Sequence, residues 1–109
     1  MTDTVVRTER RSAPRYIVDR DCAIFALDTR TEVTLLNVSL IGIATLGPAL
    51  AVSPGDRIVL CIGGLSTLLD AIVVNVNYGR IGARFDLAPE AQTVWESEFA
   101  EMIVGAEAL

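Results

Sequence analysis

The chain alternates short apolar segments with turn residues, a pattern typical of β-strands. Residues 16–18 and 22–27 predict a first strand with an interruption, and five more are predicted over 32–38, 41–46, 57–62, 68–78 and 80–85. Gly63-Gly64 and Tyr78-Gly79 predict hairpin turns, and residues 47–48 and 53–56 predict breaks. Six short strands of this kind predict an all-β protein built on a small antiparallel barrel.

Alternation along each strand assigns its side chains to two faces. Val33 and Leu35 are expected to share a face with Asn37 and Ser39, and Arg80 and Arg84 are expected on a polar, solvent-exposed face. In the strand over 68–78, one face is predicted to carry Ile72, Val74, Val76 and Tyr78, and the other Ala71, Val73, Asn75 and Asn77.

The C-terminal segment changes from strand to helix periodicity. Pro89 can occupy the first turn of a helix, because its missing N–H would have no partner there. The apolar residues that follow repeat at helical spacing: Val94, Trp95, Phe99, Met102 and Ile103. This stripe predicts a helix that covers the end of the barrel core rather than a face for a partner protein.

Two short motifs carry the candidate chemistry: Arg11-Ser-Ala-Pro-Arg15 and Asn37-Val-Ser39-Leu-Ile-Gly42. Arginine offers forked cationic donors that suit phosphate, and Asn and Ser offer hydrogen-bonding groups two residues apart. Each motif also has a plainer interpretation. The Arg-x-x-x-Arg spacing occurs three times in the chain, and Asn37 and Ser39 could face solvent while Gly42 shapes a turn.

The order of these motifs resembles the PilZ domain, the bacterial receptor module for the second messenger cyclic di-GMP, from about Arg10 to about Ile103. Residues 54–60 look like the Gly-Asp turn of that family and residues 80–85 like its Gly-x-x-Phe strand. The resemblance implies a six-stranded PilZ-type barrel with a C-terminal helix. It also implies a cyclic di-GMP site formed by Arg10, Arg11, Arg15, Asn37, Ser39 and Gly42.

Within that resemblance each residue has an expected role. Arg11 and Arg15 would pair with phosphate or guanine acceptors and stack on a base, Asn37 and Ser39 would read the guanine edge, and Gly42 would leave room for the base and the turn. An Arg directly before the motif, here Arg10, tends to accompany two intercalated ligand molecules in the family.

The polar, charged composition of the N-terminal segment indicates a way of signalling. Residues 1–15 are expected to form a flexible basic arm that becomes ordered on ligand binding, and residues 16–109 the barrel with its helix from about residue 89. The ordered arm would then present a surface to an unidentified downstream protein. The alternative is a ligand-independent PilZ-like adaptor that acts through protein contacts alone.

Charge and composition narrow the possible ligands. All nine basic residues are Arg, and residues 1–20 carry five Arg and three acids, a net of +2. The remaining residues carry four Arg and eleven acids, a net of −7, which gives the total of −5. We therefore expect no DNA or RNA binding, because most of the surface would repel a polyanion.

The residue types for metal and acid-base chemistry are scarce. The chain has no His, and Cys22 and Cys61 lack the spacing of metal ligands. We therefore expect no metal, no cofactor beyond the ligand, and no enzymatic activity. Residues 1–20 are charged without an apolar run, which predicts a cytoplasmic protein with reduced cysteines.

One uncharged segment is long enough to suggest a membrane span. Residues 33–55 form a run of 23 uncharged residues, but two Pro and three Gly interrupt it. Strands are therefore predicted there, without membrane insertion. Monomer and homodimer are both compatible with the sequence.

Overall fold

A computed structural model describes residues 13–109. Its strands are β1 (Tyr16–Ile17), β2 (Asp21–Ala26), β3 (Thr29–Val38), β4 (Gly42–Leu46), β5 (Arg57–Ile62), β6 (Leu69–Asn77), β7 (Arg80–Phe85) and β8 (Glu107–Ala108), and its helix is α1 (Pro89–Met102). The six longer strands pair antiparallel in the order β2-β5-β6-β7-β4-β3, and β2 also pairs with β3 and closes the barrel. The predicted six-stranded barrel with a C-terminal helix is confirmed.

The hairpin between β2 and β3 differs from the prediction. Leu27 and Asp28 form its two-residue turn, with φ angles of 55° and 60°. Such turns usually contain Gly or Asn, so their sequence signal is missing here. As a result Leu27 was wrongly placed in a strand, and β3 begins at Thr29 rather than Glu32. The predicted turn at Tyr78-Gly79 is confirmed, with φ angles of 51° and 83°.

Helix α1 covers one side of the core. Trp95, Phe99 and Met102 are buried, and the Trp95 ring packs edge-on against Phe85 with centroids 4.9 Å apart. Phe99 also meets the ring of Tyr16 from β1 at 6.0 Å. The predicted covering helix is confirmed, except that Val94 is exposed. No helix within residues 13–109 has the length and apolar character needed to cross a membrane.

Two strands of the barrel contain a bulge. In β3, Leu35 pairs with Thr45 and Asn37 pairs with Ala44, so Leu36 is an extra residue. In β6, Val73 pairs with Ala83 and Asn75 pairs with Gly82, so Val74 is extra. At a bulge, two residues of one strand lie opposite one residue of its partner. The alternation of side chains between the two faces is therefore reversed beyond the bulge.

The bulges overturn the predicted faces of both strands. Leu35 belongs to the core, whereas Asn37 lies on the other face beyond the extra residue. Val73 likewise lies in the core and Asn75 outside it. The predicted common face of Ile72, Val74, Val76 and Tyr78 was also wrong, since Ile72 pairs with Arg84 on the outside and Val76 with Ile81 on the core side.

Candidate functional site

The face of β3, β4, β7 and β6 that points away from the core is called the outer face below. Its cross-strand pairings form three rows: Asn37-Ala44-Gly82-Asn75, then Gly42-Arg84-Ile72 on one side of it and Leu46-Arg80-Asn77 on the other. The first row places two asparagines at its ends and the two smallest residue types between them. This arrangement arises from the two bulges, because each one turns an asparagine outward.

The turn from β3 to β4 is held by the Ser39 side chain. Ser39 Oγ accepts hydrogen bonds from the backbone N–H of Ile41 at 3.2 Å and of Gly42 at 3.1 Å, and the Ser39 N–H donates to the Gly42 carbonyl at 2.8 Å. Ser39 is only 4% exposed. A hydroxyl has two acceptor positions and one donor, and the Ser39 O–H already donates a long hydrogen bond to the Gly42 carbonyl at 3.4 Å. Ser39 can therefore serve a ligand acceptor, such as a phosphate or carbonyl oxygen, by turning its O–H away from the Gly42 carbonyl.

The same turn is fixed from below by the core. Trp95 Nε1 of α1 donates to the Leu40 carbonyl at 2.8 Å, and the Phe85 N–H of β7 donates to the Ile41 carbonyl at 2.9 Å. Buried polar groups that are all paired in this way hold their element in one geometry. Helix α1 and the end of β7 thus hold the turn in place.

Gly42 is needed for the packing of two strands. A Cβ at Gly42 would lie 2.7 Å from the carbonyl oxygen of Ala83 on β7. Gly42 is absent from the residues of positive φ, so the turn itself does not require glycine. The expected obstruction of the turn by a side chain is therefore not the reason for Gly42, whereas the close approach of β4 and β7 is.

Arg15 lies where the described chain meets this turn. Tyr16 pairs with Val38, and continuing that antiparallel ladder by one residue sets Arg15 opposite Ser39. The Arg15 carbonyl accepts a hydrogen bond from the Leu109 N–H at 2.8 Å, which ties it to the segment of β8. Arg15 as a whole is exposed. Arg10, Arg11 and most of the predicted arm lie outside the described residues.

Asn37 stands on the outer face next to the turn. It is 7% exposed, and its carboxamide makes no hydrogen bond within residues 13–109. A carboxamide offers two donor hydrogens and one acceptor oxygen, so it can match an edge that displays both kinds of group. The β3–β4 turn therefore brings together the backbone positions of Asn37, Ser39 and Gly42, and the ladder of β1 sets that of Arg15 beside them.

The register reveals two residues that the sequence did not assign to the site. Arg84 is exposed, as predicted, but its Cα partner is Gly42, so it lies beside the motif rather than on distant surface. Asn75 ends the first row on the far side. The one sequence signal for Asn75 is a polar residue within the valine-rich run of β6, and for Arg84 no signal exists without the strand register.

The local charge of the outer face is opposite to that of the whole chain. Its three rows hold Arg80 and Arg84 and no carboxylate, and the exposed Asp70 lies beyond Ile72 on the same side of β6, while the chain has a net charge of −5. Two other arginines are paired elsewhere, Arg57 with Asp86 at 2.7 Å and Arg30 with Glu32. The outer face can therefore attract an anion although most of the protein would repel one.

Other chemical groups lie away from this face. A concave surface of about 660 Å³ near the β2–β3 hairpin includes Phe25, Asp28, Arg57 and Asp70, and none of the predicted site residues. Burial, with a smaller contribution from nearby Cys61, raises the pKa of Cys22 from 9.0 to about 11, so this core thiol stays neutral. Within residues 13–109, no three His, Cys, Asp or Glu side chains cluster as metal ligands would.

A closed barrel, a covering helix and a fixed turn on the outer face together define a small β-barrel domain. The chain belongs to the PilZ domain family, whose model matches residues 9–104. Its fold is similar to that of the Bacillus subtilis inhibitor of motility, MotI/DgrA, with a TM-score of 0.60 and 20% sequence identity. That match covers 86% of this chain and 51% of the other, so the chain spans about half of its structural neighbour.

The comparisons fix the family and the fold. No curated protein matches the sequence. PilZ domains are receptor and adaptor domains related to cyclic di-GMP and are generally not enzymes.

Proposed function

We propose that this domain is a cyclic di-GMP receptor that binds its ligand on the outer face, against the turn from Ser39 to Gly42. The observation that supports the proposal is the pairing of Tyr16 with Val38, because continuing this ladder by one residue sets the Arg15 backbone opposite Ser39. In this proposal the Arg15 guanidinium, the Ser39 hydroxyl and the Asn37 carboxamide surround the ligand. They match the phosphate and the guanine edge of the ligand.

Each residue has a distinct part in this proposal. Arg11 and Arg15 pair with phosphate or guanine acceptors and stack on a base, while Asn37 reads the donors and acceptors of a guanine edge. Ser39 donates its hydroxyl proton to the ligand in place of its long bond to the Gly42 carbonyl, since its acceptor positions serve the turn. Arg10 supports a second, intercalated ligand molecule, so the proposed stoichiometry is two ligands per chain.

The signal in this proposal passes from the arm to the C-terminal segment. Arg15 binds the backbone of Leu109, and Tyr16 packs against Phe99 of α1. Ordering of residues 1–15 over the ligand would therefore build a new surface next to α1 and β8. We propose that an unidentified downstream protein recognises this surface.

Calorimetric titration with cyclic di-GMP tests the binding proposal. We expect the wild type to bind at micromolar concentration or better, and Arg15→Ala to bind at least tenfold more weakly, because one charge-assisted bond contributes roughly 1.5 to 3 kcal/mol. Arg30→Ala is the matched control, since Arg30 lies about 23 Å along β3 from Asn37. An unresponsive wild type, or equal losses in the two variants, would contradict the proposal.

The stoichiometry and the arm need their own measurements. A titration that saturates at one ligand per chain would remove the intercalated pair. We also expect amide hydrogen exchange in residues 1–15 to slow when ligand is added. Unchanged exchange there would contradict the ordering of the arm.

A ligand-independent adaptor is the second candidate, and one observation favours it. Ser39 and Gly42 are both required by the turn and the packing of β4 on β7, so their presence alone does not demand a ligand. An adaptor of this kind would bind its partner protein equally well with and without cyclic di-GMP. A partner pull-down performed at both ligand conditions separates the two functions.

A further inference from the structure

The proposed site leaves the far end of the first outer-face row unused. Asn75 lies there, on β6, across β4 and β7 from Asn37. Neighbouring strands are 4.7 to 4.9 Å apart, so the two asparagines are separated by about 14 Å along the sheet. A single nucleobase is too short to contact both, whereas a cyclic dinucleotide carries two bases.

The local structure directs Asn75 outward and toward Asn37. Val74 is the bulge residue of β6, and without that extra residue Asn75 would follow the alternation of Ala71 and Val73 into the core. A Cβ placed on Gly82 would lie 3.0 Å from both Nδ2 and Oδ1 of Asn75. The Asn75 carboxamide therefore lies over Gly82 and leans from β6 across β7 toward β4.

The surface between the two asparagines is shaped to receive a flat group. Ala44 and Gly82 are its only residues in the row, so the Ala44 methyl group and the Asn75 carboxamide over Gly82 are the side-chain groups that stand there. Arg80 and Arg84 stand on either side of Gly82, and both are exposed. Bulges commonly occur where a strand must aim a side chain at a binding site, and here two bulges aim two carboxamides over one small, cationic surface.

From these observations we propose that Asn75 is a second base-reading residue, which contacts a guanine edge of cyclic di-GMP at the end of the site opposite Asn37. This inference rests on the proposed function. It extends the site beyond the two motifs to β6 and makes guanine recognition depend on both ends of the first row. Gly82 is the positioning residue, since only a residue without a side chain allows the Asn75 carboxamide to occupy this place.

Titration of Asn75→Ala with cyclic di-GMP tests the inference, and Asn77→Ala is its matched control. Asn77 has the same side chain, is also exposed, and lies on the same strand in the row farther from Gly42. We expect about a tenfold loss of affinity for Asn75→Ala, the size of one or two hydrogen bonds, and a change under twofold for Asn77→Ala. Thermal unfolding should show that both variants remain folded.

The outcomes separate the two proposals. A wild type that ignores cyclic di-GMP overturns the proposed function and this inference together. A wild type that binds, with Asn75→Ala indistinguishable from Asn77→Ala, overturns the inference alone. Loss of discrimination between cyclic di-GMP and cyclic di-AMP in Asn75→Ala would support base reading, because adenine presents a different pattern of donors and acceptors.

Gly82→Ala supplies a second, independent variant. Its methyl group must displace the Asn75 carboxamide, so we expect affinity for cyclic di-GMP to fall severalfold. In the Asn75→Ala background, Gly82→Ala should lower the affinity little further, because the carboxamide that it would displace is already absent. Full additivity of the two losses would contradict the assignment of Gly82 as a positioning residue for Asn75.

Discussion

The inner and outer faces of β3, β4, β7 and β6 follow different rules although they share one backbone. The inner face is buried and mainly apolar, with Val38, Ile43, Ala83 and Val73 in a row of paired residues and the hydroxyl of Thr45 bonded to the Ile81 carbonyl. The outer face at the same level carries asparagines, arginines and the smallest residues. The comparison shows that a bulge can preserve the pairing of core residues between strands while it places the next polar residue of the strand on the outer face.

The sharpest way to break this comparison is to introduce charge on either side of the β6 bulge. Val73→Asp should cost more than about 4 kcal/mol of unfolding free energy, because it buries an unpaired carboxylate in the core. Asn75→Asp, two residues away, should change stability by less than about 0.5 kcal/mol. Chemical denaturation measures both. Similar costs at the two positions would mean that the bulge does not separate the faces.

The two outer-face glycines should differ next most. Gly42→Ala meets the rigid carbonyl of Ala83 and should cost about 1 to 3 kcal/mol, the range for overpacking. Gly82→Ala meets only the tip of a flexible side chain and should cost less than about 1 kcal/mol. Denaturation curves compare the two variants. A smaller cost at Gly42 would argue against the close approach of β4 and β7.

The buried thiol of Cys22 predicts a pH dependence of the free energy of unfolding. The pKa of Cys22 is raised by burial from 9.0 to about 11, so the unfolded chain loses this proton before the folded one does. The stability that the neutral Cys22 thiol contributes is therefore fully present below pH 9 and is lost as pH rises toward 11. At pH 10 this loss should lower the free energy of unfolding by about 1.4 kcal/mol.

Denaturation at pH 8 and pH 10 checks this effect. Cys22→Ala should lose the part of the pH dependence that belongs to the thiol. An unchanged slope in that variant would assign the effect to other groups.

Ser39→Ala should lower the free energy of unfolding by about 1 kcal/mol, less than Val73→Asp and than the expected pH effect of Cys22. It leaves the N–H groups of Ile41 and Gly42 without their acceptor in a nearly buried turn. The exposed residue Ser53 offers a control, and Ser53→Ala should change stability by less than about 0.5 kcal/mol. Equal effects in the two variants would show that the Ser39 hydroxyl does not stabilise the turn.

The sequence predicts the barrel and the covering helix well because both follow from periodicity. Strand segments, the helix from Pro89 and the burial of Trp95 and Phe99 all come from local patterns. The bulges at Leu36 and Val74 could not be predicted, since an extra residue changes the pairing without changing the apolar character of the strand. The hairpin at Leu27-Asp28 escaped because it lacks the usual turn residues.

The candidate site divides in the same way. Asn37, Ser39, Gly42 and Arg15 are marked by motifs, and the sequence could name them. Arg84 and Asn75 join the outer face only through the pairing of β7 with β4 and β6. Such neighbours depend on strand register, which a single sequence does not specify.

The bond between Trp95 and Leu40 gives the protein a built-in optical reporter. Trp95 is the only tryptophan of the chain and is 0% exposed, so its fluorescence should be blue-shifted in the native state. Because its indole N–H binds the β3–β4 turn directly, any rearrangement of that turn should alter the emission spectrum. Ligands could therefore be screened on the unlabelled protein by following the emission of one side chain.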